Sequence, residues 1–353
     1  KDFQFIVATP YEIDKKILSQ FESINICFVV NRYPNILKGT IGKFYFEQVI
    51  IPGVARRYHC QMIHSFYPSI SILTFIKQIE TIHDVIPWSL SEYRYDLLTK
   101  LFRCFIKVSS RKAITVVTDS EWSKKEIVKH FKLNQGKIKV IYLGLGEEFE
   151  NNISQLKRNQ IIEKYQIEKP YIFYIGGFDA RKKVGNMIVA FSKLKDKFKH
   201  DLVIAGGVFS QQRRIYADYY LLEKQLETLG IKNRVKRIGV VPYKDLPTLH
   251  SEAELFLSPS IEEGFNLPLL NAMSMKTPVI IHSGSASKEI SKGAAYETNC
   301  ENVDLFSDSI EKILKDKHLQ RIIIEKQFER QKIFKWNKSA DQLLKLYAKI
   351  LIK

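Results

Sequence analysis

An apolar run, Leu255-Phe256-Leu257, stops at Ser258-Pro259-Ser260, and the segment beyond it leaves few folds open. An acidic pair, Glu262-Glu263, precedes Gly264, a residue without a Cβ that lets backbone approach a ligand closely. Helical spacing resumes at about Leu267, with Pro268 suited to a first helical turn. A β-branched run, Pro278 to Ile281, then leads into Ser283-Gly284-Ser285. Strand, glycine turn, helix N-terminus and strand in this order aim free backbone N–H groups and the positive end of a helix dipole at an anion. A carboxylate beside that anion site is placed to bind sugar hydroxyls. An anion site next to a hydroxyl reader points to a nucleotide-sugar.

The same alternation of short β-rich runs with longer helical periods fills the chain, the mark of an α/β fold with parallel sheets. Strands are predicted at Phe3–Ala8, Asn25–Val30, Met62–Ile63, Glu80–His83, Ala113–Thr118 and Ile138–Tyr142, with helices at Leu97–Ser109 and Ser123–Phe131. Further strands are predicted at Tyr171–Ile175, Leu202–Ala205, Val235–Ile238, Leu255–Leu257 and Val279–Ile281. Helices near Gly185–Leu194, Ala217–Leu229, Lys244–Ser251 and Pro268–Met275 separate them. A chain of 353 residues exceeds the roughly 250–300 at which single cores stop growing, so two domains are expected. Gly144-Leu145-Gly146 and the polar run Glu147 to Gln160 mark their boundary. The expected division is one Rossmann-like domain over 1–155 and a second over 156–335, followed by a last segment, 336–353. Ligand is expected in the cleft, at the carboxyl ends of the strands.

Charge narrows the partners. Residues 1–150 carry 21 basic and 15 acidic side chains, and residues 151–353 carry 34 and 23, for a net charge of +17. A Lys-rich solvated surface and attraction to anionic headgroups both fit this excess. Nucleic acid is set aside, because no known binding module or basic-aromatic strand pattern occurs. Cys27, Cys60, Cys104 and Cys300 form no Cys-x-x-Cys pair, which argues against a zinc site or a disulfide framework. With no signal peptide and no transmembrane run, a cytoplasmic place is expected, with the inner face of the membrane as an alternative.

The run EEGFNLPLLNAMSMKTPVI resembles the donor-site signature of retaining GT-B glycosyltransferases, the group 1 or family 4 type that includes mannosyltransferases. Further resemblance lies in TIHDVIPW, VVTDSEWSKKEI, VIYLGLGEEF, YIGGFDARKKVGNMIVAF, RIGVVPYKDLPTLHSEAELFLSPS and FKWNKSADQLLKLYAKIL, which together span most of the chain. The resemblance implies that the first Rossmann-like domain, 1–155, is the acceptor side, that the second, 156–335, binds the nucleotide-sugar, and that a closing helix, 336–353, crosses back to the first. It implies that Glu263 contacts the transferred sugar, and that His83 approaches the same sugar. It also implies backbone contacts from Gly264, Phe265, Asn266 and Leu267. Two positions depart from the family pattern: its second Gly is Asn266, and its second Glu, which contacts the ribose, is Asn271. Members normally open with a strand, a glycine-rich turn and a helix before the segment matching Phe3; the sequence begins at Lys1 without that unit, and either truncation or loss of the first βα element is expected.

Arg181 and Lys182 follow Ile175-Gly176-Gly177, just past a predicted strand. The diphosphate of a nucleotide-sugar needs about two positive charges as it leaves, and no Asp-x-Asp occurs to hold a metal there. Fixed cations and a helix N-terminus then take that work, without a metal or another cofactor. Gly177 stands where the family often has Arg, so Arg181 serves instead, while Lys183 is read as solvent-facing. Asp84 is assigned to orient the His83 loop. His64 to Pro68 and Glu47-Gln48 are candidates for the acceptor side or for packed structure. Ser120 and Ser123 read first as helix caps, with Ser120 a second candidate for phosphate. Val240 and Val241 would hold the base through backbone groups, and Glu289 reads first as a helix cap and second as a donor contact.

The resulting reading is a retaining, metal-independent transferase of a sugar, mannose by preference, from a nucleoside-diphosphate donor to a glycan or lipid-linked acceptor. The alternative is a non-catalytic nucleotide-sugar-binding or scaffold subunit of the same descent.

Overall fold

The computed structural model describes residues 3–19, 21, 25–32, 39–90, 97–151, 153–206 and 222–352. They group into two compact units. The first comprises Lys1–Asp119, Ser123–Ile141 and Ala340–Lys353, and the second Ser120–Trp122 and Tyr142–Ser339.

In the first unit, β1 (Phe5–Thr9) and β2 (Ile26–Val30) form a parallel pair. A separate parallel sheet holds β3 (Met62–Ser65), β4 (Lys77–Thr81), β5 (Thr115–Thr118) and β6 (Ile138–Val140) in sequence order. Both faces of this sheet are covered, as parallel strands require. One face packs Val116, Ile127, Phe131 and Ile138 into a core with Ile82 and Trp88. The other presents Ile79, Val117 and Ile141 to Tyr347 and Ile350 of the closing helix Trp336–Ile352. Leu343, Tyr347 and Ile350 recur at helical spacing, which is why that helix lies flat on the strands.

The predicted strand Glu80–His83 is displaced: the strand is Lys77–Thr81, and His83 lies in the loop after it. Lys77 and Gln78 hid its start, because a polar pair reads locally as loop. Helix covers Gly39–Tyr45 and Ile51–Arg57, joined by a π-helical turn at Phe46–Ile50, where none was predicted. Pro52 sits in the first turn of the second segment, where its missing N–H costs nothing.

The second unit is one parallel sheet of β7 (Tyr171–Ile175), β8 (Asp201–Ala205), β9 (Val235–Gly239), β10 (Leu255–Ser258), β11 (Val279–His282) and β12 (Tyr296–Thr298). Their spatial order is β12-β11-β10-β7-β8-β9. Successive residues alternate between two cores: Tyr171, Phe173 and Phe256 face one, Ile172, Tyr174, Leu255 and Leu257 the other. Of the predicted helix Ala217–Leu229, residues 217–221 lie outside the described residues; Leu222 and Leu226 belong to the core. Because β7 pairs with both β8 and β10, the chain turns opposite ways from its two sides. The loops after β7 and β10 therefore splay apart at the carboxyl edge, the place where open α/β sheets bind ligands.

Candidate active site

Both loops at that switch point carry charge. Lys182 Nζ lies 2.5 Å and Arg181 Nη1 3.0 Å from the two carboxylate oxygens of Glu263. Arg181 also donates to the Glu262 carbonyl at 2.8 Å, and the Ile261 N–H donates to the Arg181 carbonyl at 2.9 Å. The two loops are thus stitched through one guanidinium and one peptide. Glu263 is buried, which opposes its ionisation, yet Lys182 and Arg181 outweigh burial and hold its pKa below the usual carboxylate value. Lys183 takes a left-handed conformation and pairs with Glu301 at 2.9 Å, so it is bound rather than solvent-facing.

The helix Leu267–Ser274 starts directly after this loop, with Pro268 in its first turn. Its N-cap is Asn266, at φ +78°, a left-handed position that glycine fills most readily and Asn tolerates better than most residues. The Asn266 amide donates to the hydroxyls of Ser258 and Ser287, both at 2.8 Å, and its oxygen accepts from the Leu269 N–H at 3.3 Å. Its side chain is thus used in holding the loop, and the expected contact, a backbone one, falls to its N–H. The Phe265 ring is buried against Tyr142 and Phe334. Only backbone groups at Phe265 and Asn266 remain for a ligand. Asn271 is buried one turn into the helix, and no hydrogen bond to its amide occurs among the described residues.

Gly176 and Gly177 follow β7. A Cβ at Gly176 would come within 2.6 Å of the Tyr174 hydroxyl, which donates to the Gly177 carbonyl at 2.7 Å. Val240 is three-quarters exposed after β9. Ser120, expected first as a cap, is buried and donates to the Gly264 carbonyl at 2.6 Å. The first N–H groups of helix Glu121–Phe131 go instead to Glu289, whose carboxylate accepts from Glu121, Trp122 and the Tyr142 hydroxyl at 2.8–2.9 Å. Ser123 donates to the His83 carbonyl at 3.0 Å.

In the first unit His83 follows β4 and Asp119 follows β5, so adjacent strands present both at one carboxyl edge. His83 Nδ1 lies 2.7 Å from Asp119, and Nε2 lies 3.2 Å from the Phe66 carbonyl. The hydrogen bond to Asp119 raises the His83 pKa, while burial raises that of Asp119. Asp84 accepts from the Ile86 N–H at 3.0 Å and so shapes the loop. His64 is structural: its nitrogens meet the Tyr347 hydroxyl at 2.5 Å and Thr81 at 2.8 Å, and burial lowers its pKa to about 4. Gln48 is structural too, bonded to the backbone at Ile70 and Ile72. Sequence reasoning passed over Asp119; the one available signal was an acid placed directly after a strand, beside Ser120.

Residues 157–330 match the family model described as Glycosyl transferases group 1. Those residues belong to the group 1 glycosyltransferases, and the chain has the GT-B fold. This glycosyltransferase is 26% identical over 275 residues to the O-antigen chain mannosyltransferase B of Escherichia coli, covering 77% of this chain and 70% of that one. It is 26% identical to the O-antigen chain mannosyltransferase RfbU of Salmonella typhimurium over 67% of this chain and 60% of that protein. The crystal structure of Anabaena Alr3699/HepE in complex with UDP-glucose superposes with a TM-score of 0.76 at 16% identity, over 98% of this chain and 91% of that one. At that identity the likeness speaks to the fold alone.

Proposed function

We propose that this glycosyltransferase moves a sugar from a nucleoside-diphosphate donor to a glycan or lipid-linked acceptor in surface polysaccharide synthesis, with retention and without a metal. The observation that carries the reading is the Arg181–Lys182–Glu263 cluster at the switch point of the second sheet. Two cations and one carboxylate form a resting set that a diphosphate would reorganise: Arg181 and Lys182 turn to the phosphates, and Glu263 is released to accept from sugar hydroxyls. Backbone N–H groups from Gly264 to Leu267 add to the phosphate site, Asn271 faces the ribose, and Gly176, Gly177 and Val240 line the nucleotide. His83, oriented by Asp119, is the first unit's candidate contact for the transferred sugar.

No side chain is assigned as a covalent nucleophile. The acceptor oxygen bonds to the anomeric carbon on the face that the phosphate leaves, and the acceptor proton passes to a phosphate oxygen. Cations held in place act as fixed charges that stabilise the departing diphosphate. Mannose is favoured by the names of the two O-antigen relatives and by the ARKK segment. A cytoplasmic place, with access to the inner face of the membrane, completes the reading.

A panel of UDP- and GDP-sugars in a thermal-shift assay tests it, since a ligand of the native state raises the apparent melting temperature. Turnover of the stabilising donor in EDTA, with the product anomer read by NMR, should show retention. A strict Mn²⁺ requirement or an inverted product would overturn the mechanism. Stabilisation by a donor without turnover on any acceptor would favour a binding subunit, the reading that Asn271 in place of the family's Glu supports.

A further inference from the structure

The amino edge of the four-stranded sheet, opposite His83 and Asp119, is built differently from the rest of the first unit. The chain enters β4 through Ile72, Leu73 and Phe75, which are exposed by 37%, 59% and 106% of a free side chain. Three apolar side chains within four residues, one of them wholly in water, form a tip that has no partner among the described residues of this unit. Cations surround the tip and brace it. Lys112 donates to the Ile72 carbonyl at 3.0 Å and Arg56 to the Leu73 carbonyl at 3.5 Å. Lys137 donates to the Arg111 carbonyl at 2.6 Å, and Lys77 to the Ile350 carbonyl at 2.8 Å. None of these four has a carboxylate within ion-pair distance among the described residues.

The segments that meet at this edge contain no Asp or Glu at all: residues 51–79, 97–118 and 127–146 are free of both. A solvated basic face would normally mix its signs, and it would not place Leu73 and Phe75 at its centre. Apolar side chains ringed by unpaired cations match one partner chemistry, a bilayer surface with anionic headgroups, where the tip enters the acyl boundary and the cations meet phosphates. No described helix is long and apolar enough to cross a membrane, so such attachment is peripheral.

We propose that this edge, centred on Leu73 and Phe75, seats the protein on an anionic lipid bilayer. The proposal deepens the reading of a lipid-linked acceptor, but it is tested without donor or acceptor, so its failure and that of the transferase reading are separable. The whole chain is floated with vesicles of phosphatidylcholine alone and of phosphatidylcholine with an equal part of phosphatidylglycerol. Binding to the anionic vesicles is expected to exceed that to neutral ones at least tenfold in low salt, and to weaken as salt rises. Leu73→Ser with Phe75→Ser should lose most of it, as should Arg111→Glu with Lys112→Glu, while each pair keeps the wild-type melting temperature and donor-induced thermal shift. Equal binding to both vesicle types would overturn the proposal. So would vesicle binding unchanged by the serine pair, and capture by heparin with no preference for vesicles would assign the edge to a soluble polyanion instead.

Discussion

The two units treat a buried glutamate in opposite ways. In the second unit Glu263 lies between Lys182 and Arg181, and their charges carry it below the usual carboxylate range against the pull of burial. In the first unit Glu80, on β4, is fully buried, and among the described residues neither carboxylate oxygen has a hydrogen-bond partner. Burial pushes it up to about 8, with only Ser110 and Lys137 near enough to temper the rise. The same side chain is thus a fixed anion in one sheet and an acid kept neutral in the other. Burial alone says nothing about charge; the cations within reach decide it.

The largest test breaks the balanced side. Glu263→Gln leaves two mostly buried cations without their carboxylate, and removing one partner of a buried pair costs about 3–5 kcal/mol. Denaturant melting should show that loss, and a change below ~1 kcal/mol would mean that water already screens the cluster. Next, Lys182→Ala should cost about 2–4 kcal/mol of transition-state stabilisation, the worth of one preorganised charge. Turnover within threefold of wild type would remove Lys182 from the site.

The unbalanced side predicts the opposite sign. Glu80 titrates near 8 in the folded chain and in the ordinary carboxylate range when unfolded, so the folded state holds a proton that the unfolded state loses. Stability from the neutral acid is complete below that ordinary range and is lost as pH rises through 8. Glu80→Gln should therefore stabilise the protein by about 1–3 kcal/mol at pH 9 and by little at pH 5. A gain that does not change between those pH values would remove ionisation as its cause.

Asn271→Glu sharpens the comparison by adding a carboxylate beside the balanced cluster. Hydrogen bonds to charged groups are worth about 1.5–3 kcal/mol against about 1 for neutral ones, so nucleotide should bind roughly tenfold tighter. Titration calorimetry with UDP and GDP decides it, and unchanged or weaker affinity would turn Asn271 away from the ribose. The smallest effect is expected at the half-exposed pair. Asp119→Asn replaces the hydrogen-bonded carboxylate that raises His83 with a neutral amide, so the His83 midpoint should fall toward its ordinary value in an NMR titration. A midpoint that stays raised would assign the shift to Asp84 and the Phe66 carbonyl.

The α/β class, most of the strands and the strand-end places of Arg181, Lys182 and Glu263 were legible in the chain because each depends on neighbours in sequence, whereas their meeting across 81 residues was not. Period-2 and period-3.6 runs report local burial, and a charged loop directly after an apolar run reports a strand end. Where burial came from distant elements, the reading slipped. Lys77 and Gln78 look like loop until β3 and β5 close on them, and Gly39–Arg57 looks irregular until Phe46, Val54 and Ala55 find a core. Partners followed the same rule. No spacing pairs His83 with Asp119, 36 residues on, or turns Ser120 from capping toward Gly264. Nor does spacing set Glu80 and Glu263 apart, since charge state is fixed by what the fold brings within a few ångströms, and that distance exists only once the sheets have formed.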